Sequence, residues 1–437
     1  MEPRYVSTKG KSPKATLKEA VLNALADDGS LYLPQTFKRV PREFIANLSS
    51  YNFQEIAFEV AKALLADDLE ESVLKEIVNE TITFDAPLVQ LDKKIHVLEL
   101  FHGPTLAFKD FGARFMARLM AHLVKDESRP LTVLVATSGD TGGAVAQGFW
   151  KVPGIQVYVL YPSGKISELQ ERQITTLGEN ITAFEVAGTF DDCQRLVKKA
   201  LLDPDLKENF SLTCANSINL ARLYPQVFYY FYAYSQLDLR NLSIAFSVPS
   251  GNFGNLTAGL IAKKLGLPIA RFLAATNVND AVPRYLETSH FMPKATVATY
   301  SNAMDVGHPS NFERMKHFYR YSHFSLCQDV WGKSYSDKMT LQGISAVYEK
   351  YNYIMDPHSA IGYLAAQRFL EKQRKPHQCV CLETAHPAKF PSVVKEAIGV
   401  EPEMPLVLQE LENKEKESIP INSSLAALKE NLFTHSQ

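Results

Sequence analysis

The pattern of apolar and polar positions divides the chain into a helical beginning, an alternating middle and a charged tail. Near the start, Leu17, Val21 and Leu25 recur at helical spacing, and Asp28-Gly29 predicts the end of that helix. A second helix-rich run extends from Gln54 to Ile82. The first part of the chain is therefore predicted to be mainly helical.

The middle of the chain begins after the turn Asp85-Ala86-Pro87, where short β-rich runs alternate with longer amphipathic stretches. The predicted strands are Ile95–Leu100, Leu131–Ala136, Gln156–Leu160, Ile181–Val186, Ile244–Val248, Phe272–Ala275 and Cys379–Leu382. The predicted helices are Phe111–Leu123, Ala144–Trp150, Phe190–Leu201, Leu220–Ser235 and Leu256–Lys264. This alternation indicates βαβ units, mostly parallel sheets and the α/β fold class.

These patterns predict three consecutive regions. A mainly helical N-terminal domain spans residues 1–85, and an α/β domain spans residues 86–400. Residues 401–437 form a charged tail containing Lys414-Glu415-Lys416-Glu417, which is expected to be a peripheral helix or a frayed end.

Composition narrows the class of protein. A chain of 437 residues exceeds the size of one compact core, and its net charge of -2 gives no sign of nucleic-acid or membrane binding. No apolar run is long enough to span a bilayer, and five cysteines do not make a disulfide framework. We therefore expect a cytoplasmic protein. Cys379 and Cys381 lie two apart in a predicted strand, so they should face the core together rather than bind zinc.

Lys109 is the first candidate for chemistry. It stands between Phe108 and Phe111, after a turn containing Gly103 and Pro104. Aromatic neighbours disfavour the ammonium form, and a neutral amine can attack a carbonyl to form a Schiff base. Taken alone, the segment favours an ordinary lysine whose stem lies on apolar surface.

A glycine-rich loop suggests a phosphate site. It follows the strand ending at Val248 and reads Pro249-Ser250-Gly251-Asn252-Phe253-Gly254-Asn255. The two glycines are expected to take positive φ, so that successive N–H groups bind an anion at the start of a helix. Its spacing matches neither a P-loop nor the dinucleotide fingerprint. The alternative is a plain strand-to-helix turn.

Two further turns carry groups suited to anions. The first reads Ala136-Thr137-Ser138-Gly139-Asp140-Thr141-Gly142-Gly143 and suits a carboxylate or phosphate, apart from Asp140, which is expected to cap the helix or meet a protonated group. The second reads Asn216-Ser217-Ile218-Asn219-Leu220-Ala221-Arg222, where the arginine and its polar neighbours can clamp a phosphate. Locally, a capped helix explains the first turn equally well, and an N-cap followed by a surface arginine is the better explanation of the second.

Thr384 is the last candidate for a ligand-binding residue. It follows the strand ending at Leu382, and the carboxyl ends of parallel strands are where α/β proteins bind ligands. The nearby His386 precedes a proline and is expected to be structural. Anion sites together with a Schiff-base lysine fit a carbonyl cofactor that carries a phosphate, which is pyridoxal 5'-phosphate.

These motifs together resemble the threonine synthase family. The resemblance runs in order from about Tyr5 to Gly399 and also includes Asp305 to Asn311 and Asp356 to Gly362. It implies a two-lobed fold of the tryptophan synthase β type, fold type II among pyridoxal-phosphate enzymes. The N-terminal domain is then the extension found in the family's longer branch, and the smaller lobe, roughly residues 113–236, is expected to close over the substrate.

The resemblance also implies a role for each motif. Lys109 forms the Schiff base and later moves protons, Gly251 to Asn255 bind the cofactor phosphate, and Thr384 bonds the pyridine nitrogen. The α-carboxylate of the substrate is assigned to Ser138, Gly139 and Thr141, and its phosphate to Asn216, Ser217 and Arg222. Asp140, expected at the cofactor, and His308 stand where the family often has Asn, and Leu220 stands where it often has Trp.

The implied reaction is a β,γ-replacement that converts O-phospho-L-homoserine and water to L-threonine and phosphate. The chain could instead be an O-phosphohomoserine phospho-lyase or a serine/threonine dehydratase on the same scaffold, releasing 2-oxobutanoate. A scaffold protein without turnover is a third possibility, against which an intact Lys109 argues. The expected partner is a small-molecule substrate, with no nucleic acid or membrane, and the protein is expected to be a monomer or homodimer.

Overall fold

The structure is a computed structural model that describes residues 2–238 and 242–435. Its strands are β1 (Tyr5–Ser7), β2 (Tyr32–Pro34), β3 (Leu88–Gln90), β4 (Ile95–Glu99), β5 (Leu131–Ala136), β6 (Ile155–Pro162), β7 (Ile181–Ala187), β8 (Ser211–Cys214), β9 (Ser243–Pro249), β10 (Arg271–Thr276), β11 (Val330–Ser334), β12 (His377–Glu383) and β13 (Ile419–Asn422). Short 3₁₀ turns cover Leu48–Ser50, Asn302–Met304 and Pro387–Lys389.

The helices account for most of the remaining regular structure. They are α1 (Leu17–Asn23), α2 (Arg42–Ala46), α3 (Phe53–Leu65), α4 (Glu71–Thr81), α5 (Lys109–Val124), α6 (Asp140–Phe149), α7 (Glu168–Thr175), α8 (Phe190–Leu202), α9 (Pro204–Asn209), α10 (Leu220–Leu223), α11 (Pro225–Ser235), α12 (Gly254–Lys264), α13 (Ala281–Thr288), α14 (Phe312–Phe318), α15 (His323–Asp329), α16 (Asp337–Tyr351), α17 (Pro357–Leu370), α18 (Pro391–Ile398), α19 (Leu406–Glu412) and α20 (Leu425–His435). Among the described residues, no helix is long and apolar enough to cross a membrane.

Packing groups the chain into two compact units. The first unit contains the segments up to Pro34, Lys109–Arg222 and Met404 onward. Its main sheet has the order β13-β7-β6-β5-β8 and is parallel throughout. Buried side chains of β5, β6, β7 and α8 form its core, which also includes Leu428 and Leu432 of α20.

The second unit contains Gln35–Phe108 and Leu223–Glu403. Its sheet has the order β11-β10-β9-β12-β4-β3, and β3 pairs antiparallel with β4 at the edge while the other pairs are parallel. Against this sheet, α17 buries Ile361, Tyr363 and Ala365. Apolar side chains on both faces explain why these strands read as continuous apolar runs.

The α/β class and the mostly parallel sheets are confirmed. Each of the seven predicted strands coincides with an observed strand to within about two residues at either end. Cys379 and Cys381 are fully buried in one apolar cluster, as predicted. The described residues contain no group of three or more His, Cys, Asp or Glu placed to hold a metal. The three consecutive domains stay a prediction, since both compact units combine separated segments.

Several predicted elements were wrong in detail. The first helix ends at Asn23 rather than at Asp28-Gly29, because Ala24 takes φ 61° and Leu25 forms a β-bridge with Leu31. The single helix predicted from Leu220 to Ser235 is two helices, α10 and α11, since proline begins the second. The tail is neither frayed nor purely helical, because β13 extends the sheet beside β7.

Asn219 fastens the N-terminal segment to the first unit. Its side-chain amide donates to the carbonyls of Val21, at 2.8 Å, and Cys214, at 3.1 Å, and its oxygen accepts from Ala221 N–H at 3.0 Å. The residue is fully buried. Three backbone groups therefore bond one side chain, although the Val21 carbonyl also accepts a longer bond from Thr213 Oγ1 at 3.4 Å.

We predict that Asn219→Ala lowers the free energy of unfolding by about 2–4 kcal/mol, because it leaves buried backbone groups without partners. Urea denaturation measures this loss. Asn209→Ala is the control, since Asn209 is exposed on α9 and its removal should cost less than about 0.5 kcal/mol. Equal effects of the two changes would contradict the fastening role.

Candidate active site

The segment that leads to Lys109 is joined to the segment that follows β12. Phe108 N–H donates to the carbonyl of Thr384 at 2.9 Å, and His386 N–H donates to the carbonyl of Leu106 at 3.1 Å. Ala107 and Ala385 form the antiparallel bridge between these bonds. This backbone bridge fixes the residue before Lys109 against the polypeptide that carries Thr384.

The backbone turns sharply just before the lysine. Leu106 takes φ 55°, in the left-handed region that branched side chains seldom adopt, and α5 begins at Lys109 itself. The positive end of a helix is a poor place for an ammonium group. A strained residue and an unfavourably placed lysine next to each other are typical of a functional site rather than a surface lysine.

The Thr384 side chain is available for a ligand. Its backbone N–H donates to Ser359 Oγ at 3.1 Å, and Ser359 Oγ donates to Asp356 Oδ2. Within the described residues the Thr384 hydroxyl meets no donor or acceptor. Asp356 also accepts from His358 Nδ1 at 2.6 Å, while His358 Nε2 accepts from Ala303 N–H at 3.2 Å. The region around Met355 to Gly362, to which sequence reasoning assigned no chemistry, therefore supports Thr384.

The glycine-rich loop forms a different turn from the one predicted. Neither Gly251 nor Gly254 has positive φ; Phe253 takes φ 61° instead. Gly251 is needed because a Cβ there would lie 2.7 Å from Met304 Cα, inside the 3₁₀ turn of the next loop. Asn255 closes the loop by donating to the Pro249 carbonyl at 2.8 Å.

The loop presents amide groups without protein partners. The N–H groups of Gly251, Phe253 and Gly254 find no acceptor in the part of the chain that the structure describes. They lie at the start of α12, where the helix dipole favours an anion. Asn252 Oδ1 accepts from Ser310 N–H at 2.5 Å, which ties the loop to the polar segment that contains His308.

The loop from Ser138 to Thr141 belongs to the first unit. Thr137 Oγ1 accepts from the N–H groups of Gly139, at 2.9 Å, and Gly142, at 2.8 Å, so this hydroxyl rather than Asp140 organises the turn. Gly139 has φ 135°, and a Cβ there would meet the Gln170 side chain at 2.4 Å. Gln170 Nε2 donates to Asp140 Oδ1 at 3.1 Å. Sequence reasoning missed Gln170, which no motif signals.

Asn216 and Arg222 are placed by backbone contacts in the same unit. The Asn216 amide donates to the Ala136 carbonyl at 2.8 Å, which holds the ends of β8 and β5 together. Arg222 Nη1 donates to the Ala215 carbonyl at 2.7 Å, and the side chain is 3% exposed. Burial lowers the pKa of Arg222 to about 10, against the opposing charge of Asp110, so it stays a cation at neutral pH.

His386 and His308 lie beside aromatic rings. His386 Nδ1 accepts from Ala388 N–H at 3.1 Å and its ring lies edge-on to Phe101 at 5.1 Å, while burial and the neighbouring His102 lower its pKa. These contacts agree with the structural interpretation of His386. His308 lies edge-on to Phe291 at 5.8 Å.

The available donors fit pyridoxal phosphate. Three amides at a helix start suit its phosphate, and the Thr384 hydroxyl suits its ring nitrogen. Residues 79–384 match the family model described as pyridoxal-phosphate dependent enzyme. The protein is thus a pyridoxal-phosphate-dependent enzyme.

Two further family models are more specific. Residues 4–82 match the threonine synthase N terminus, and residues 359–431 match the threonine synthase C-terminal model. The sequence is 41% identical to threonine synthase of Escherichia coli, covering 99% of this chain and 100% of the relative. The chain belongs to the threonine synthase family.

Solved structures agree with this assignment. The crystal structure of threonine synthase from Escherichia coli superimposes with a TM-score of 0.92 at 40% identity, covering 99% of this chain and 100% of that one. The structure of PLP-bound threonine synthase from Brucella melitensis gives a TM-score of 0.92 at 36% identity, with 99% of each chain covered. The expected fold, cofactor and family are confirmed.

We predict that Gly251→Ala weakens cofactor binding by at least about tenfold, because backbone atoms of Met304 cannot yield to the new Cβ as a flexible side chain would. Titration of the apoprotein with pyridoxal phosphate, followed by absorbance, measures the affinity. Gly343→Ala is the matched control, since its Cβ would meet the flexible end of Leu364 at 3.1 Å and the Ala360 carbonyl only at an ordinary contact distance of 3.5 Å. Unchanged affinity in Gly251→Ala would exclude this loop from the cofactor site.

Proposed function

We propose that this enzyme converts O-phospho-L-homoserine and water to L-threonine and phosphate. Membership of the threonine synthase family indicates which reaction is catalysed. One observation of this structure supports the assignment of that reaction to particular residues. This observation is the backbone bridge, which joins the segment ending at Lys109 to the segment that carries Thr384. The five cysteines are all unpaired thiols, which supports the cytoplasm as its compartment.

When bound, pyridoxal phosphate supplies an aldehyde for an amine to hold and a conjugated ring that delocalises the electron pair of a deprotonated carbon. The amides of Gly251, Asn252, Phe253 and Gly254 bind its phosphate, and Asn255 holds their loop in shape. Thr384 bonds the ring nitrogen, and Asp140 is assigned to the cofactor as well. Because Thr384 is a neutral partner, the nitrogen stays unprotonated.

The substrate is held at its two anionic ends. The α-carboxylate is assigned to Ser138, Gly139 and Thr141 at the start of α6, where Ser138 and Thr141 offer hydroxyl and amide groups. Because the Gly139 N–H already donates to Thr137 Oγ1, Gly139 acts by shaping the turn. Thr137 and Gln170 support this loop through the bonds described above. The phosphate is assigned to Asn216, Ser217 and Arg222.

The structure constrains how the phosphate group is bound. Because the Asn216 amide already contacts Ala136, this residue acts mainly by shaping the turn, whereas the buried Arg222 supplies the positive charge. A guanidinium held in place by a backbone carbonyl loses little further freedom on binding.

Lys109 performs the proton transfers. When its amine is free and neutral, Lys109 would remove the proton from the α-carbon and then one from the β-carbon. The phosphate then leaves the γ-carbon, which is reprotonated. Water finally supplies a hydroxyl to the β-carbon, a proton returns from Lys109 to the α-carbon, and threonine is released.

The same scaffold could release 2-oxobutanoate if water failed to add. The comparisons favour the synthase over the phospho-lyase and dehydratase alternatives, because the curated relatives that match over nearly the whole chain are threonine synthases. We propose a monomer or homodimer as the active form, since every proposed site residue lies in this one chain.

We predict that Lys109→Ala lowers the rate of threonine formation by at least about 10³-fold, because it removes both the anchor and the base. The purified variant should also lose the absorbance that borohydride bleaches. Incubation with O-phospho-L-homoserine, assaying threonine, 2-oxobutanoate and phosphate together, measures the outcome. The control is Lys125→Ala, an exposed lysine just beyond α5. Phosphate released with 2-oxobutanoate by the unaltered enzyme would favour the lyase alternative.

For Arg222→Ala we predict a loss in kcat/KM of roughly 10- to 150-fold, expressed mainly as a higher KM, because one charged donor to the phosphate is lost. Initial rates over a range of O-phospho-L-homoserine concentrations separate KM from kcat. Arg118→Ala is the matched control, since that α5 arginine also donates to a backbone carbonyl, Gly148, at 2.9 Å. A similar loss in both variants would mean that Arg222 acts only through folding.

A further inference from the structure

Two glutamates lie side by side where the strands next to Thr384 end. Glu99 of β4 and Glu383 of β12 are register partners in the parallel pairing, so their side chains share one face of the sheet. Like charges at such paired positions repel each other. Tyr353 lies between them, and its hydroxyl is 2.6 Å from Glu99 Oε1 and also bonds Glu383 Oε2.

The number of hydrogens available for the two bonds to Tyr353 determines whether both glutamates can be ionised. A phenol has one hydrogen, so Tyr353 can donate to only one of the two carboxyl groups. The other carboxyl group must donate to the phenol oxygen, and it can do so only when it carries a proton. The pair of glutamates therefore holds one proton and a single negative charge.

Their surroundings decide which glutamate carries that proton. Glu99 also accepts from His102 Nε2 at 2.7 Å. Because the His102 side chain is 38% exposed, the Glu99 end of this hydrogen-bonded group reaches solvent. Burial tends to raise the pKa of Glu99, but the bonds from His102 and Tyr353 outweigh it and lower the pKa. Glu383 is fully buried, and its Oε1 has no hydrogen-bond partner in the described part of the chain. Burial and the charge of Asp356 raise the pKa of Glu383 well above 4.5.

We propose that Glu383 is a positioning residue held as a neutral carboxylic acid by the hydrogen-bonded chain Glu383–Tyr353–Glu99–His102, so that Asp356 is not joined by a second negative charge next to Thr384. Glu383 donates to Tyr353, Tyr353 donates to Glu99, and His102 donates to Glu99. The charge of the pair thus lies at Glu99, the end nearer to solvent.

No other titratable side chain near Glu383 takes the place of Tyr353 as its hydrogen-bond partner in the described part of the chain. Asp356 adds negative charge and so favours the protonated form of Glu383. Further titratable groups around the chain are Cys381, whose pKa is raised, His386 beside Glu99, and Lys389, which donates to the Thr105 carbonyl at 3.1 Å. The backbone of Asp356 also hydrogen-bonds the Glu383 carboxyl group and favours its ionised form, but burial and the neighbouring negative charges outweigh this bond. Cys381, His386 and Lys389 have no hydrogen bond to that carboxyl group within residues 2–238 and 242–435.

The consequence for the reaction rests on the proposed role of Thr384. Glu383 directly precedes Thr384 in the chain, so a carboxylate there would add a second negative charge, besides that of Asp356, to the surroundings of Thr384. Such a charge would favour protonation of the ring nitrogen. A neutral Glu383 therefore preserves the effect of a neutral hydroxyl partner.

The pH dependence of the stability of the apoprotein tests directly whether folded Glu383 is protonated. Because the native pKa is raised, folded Glu383 keeps a proton that the unfolded chain loses above about pH 4.5, so its contribution to stability falls as pH rises. The ratio of the unfolding constants of the unaltered protein and Glu383→Gln should rise tenfold per pH unit above about pH 5.5, for as long as folded Glu383 keeps its proton. Glutamine keeps the shape and the donor to Tyr353. A constant ratio would overturn the proposal.

Infrared spectroscopy of the unaltered protein provides a second measurement that needs no stable variant at Glu383. At pH 8 a carbonyl band of a neutral carboxylic acid should persist, although Asp305, whose pKa burial raises to about 6, is ionised there. Tyr353→Phe should shift this band, because the acid loses its hydrogen-bond acceptor. Absence of any neutral-acid band would contradict the proposal.

The effect on the bound cofactor is tested with Glu99→Gln. Without Glu99, Tyr353 can donate to Glu383 and a neighbouring negative charge is lost, and both changes favour the ionised form of Glu383. The pH at which the cofactor absorbance changes should rise by about one unit, and Glu99→Gln/Glu383→Gln should return it to the original value. A double variant as perturbed as the single one would mean a purely structural role. Failure to bind cofactor at all would refute the proposed function, whereas the apoprotein measurements would still test Glu383.

Discussion

The constraint on which the site depends is the backbone bridge between residues 106–108 and 384–386. Backbone hydrogen bonds at both ends, Phe108 to Thr384 and His386 to Leu106, join two segments that lie almost 280 residues apart in the chain. Leu106 is held at φ 55° by this pairing, a conformation that an unpaired chain would relax. The bridge uses main-chain atoms, so it fixes Phe108, the residue before Lys109, whatever side chains surround it.

Parallel strand register has the same organising effect within each unit. In the larger unit, the ends of β4, β9 and β12 carry Glu99, the loop after Pro249, and Glu383 with Thr384. In the other unit, the ends of β5 and β8 carry Thr137 and Asn216. Chemistry gathers at the carboxyl ends because parallel neighbours end on the same edge, which is the usual ligand edge of α/β sheets. The same register makes Glu99 and Glu383 direct neighbours. The single proton that the two side chains share removes the repulsion between two carboxylates.

Sequence predicted the elements better than their connections. Strands such as Leu131–Ala136 were found because buried parallel strands are continuous apolar runs bounded by turns. Lys109, the glycine-rich loop and Thr384 were found because each lies in a short contiguous motif, and these motifs follow one another along the sequence in the order of the family. Gln170, Tyr353 and Ser359 were not, since each acts through a partner distant in the chain, Ser359 through Thr384. The predicted positive φ at Gly251 and Gly254 was wrong because Gly251 accommodates a neighbouring backbone rather than a left-handed turn.

The central claim is that one lysine, placed by the backbone bridge, holds the cofactor. Borohydride reduction of the purified holoenzyme, followed by proteolysis and mass spectrometry, tests it most directly, because reduction fixes the pyridoxyl group to the amine that bears it. The account predicts the label on Lys109 alone. A label on another lysine, such as the buried Lys389, or no labelled peptide from fully loaded enzyme, would contradict it.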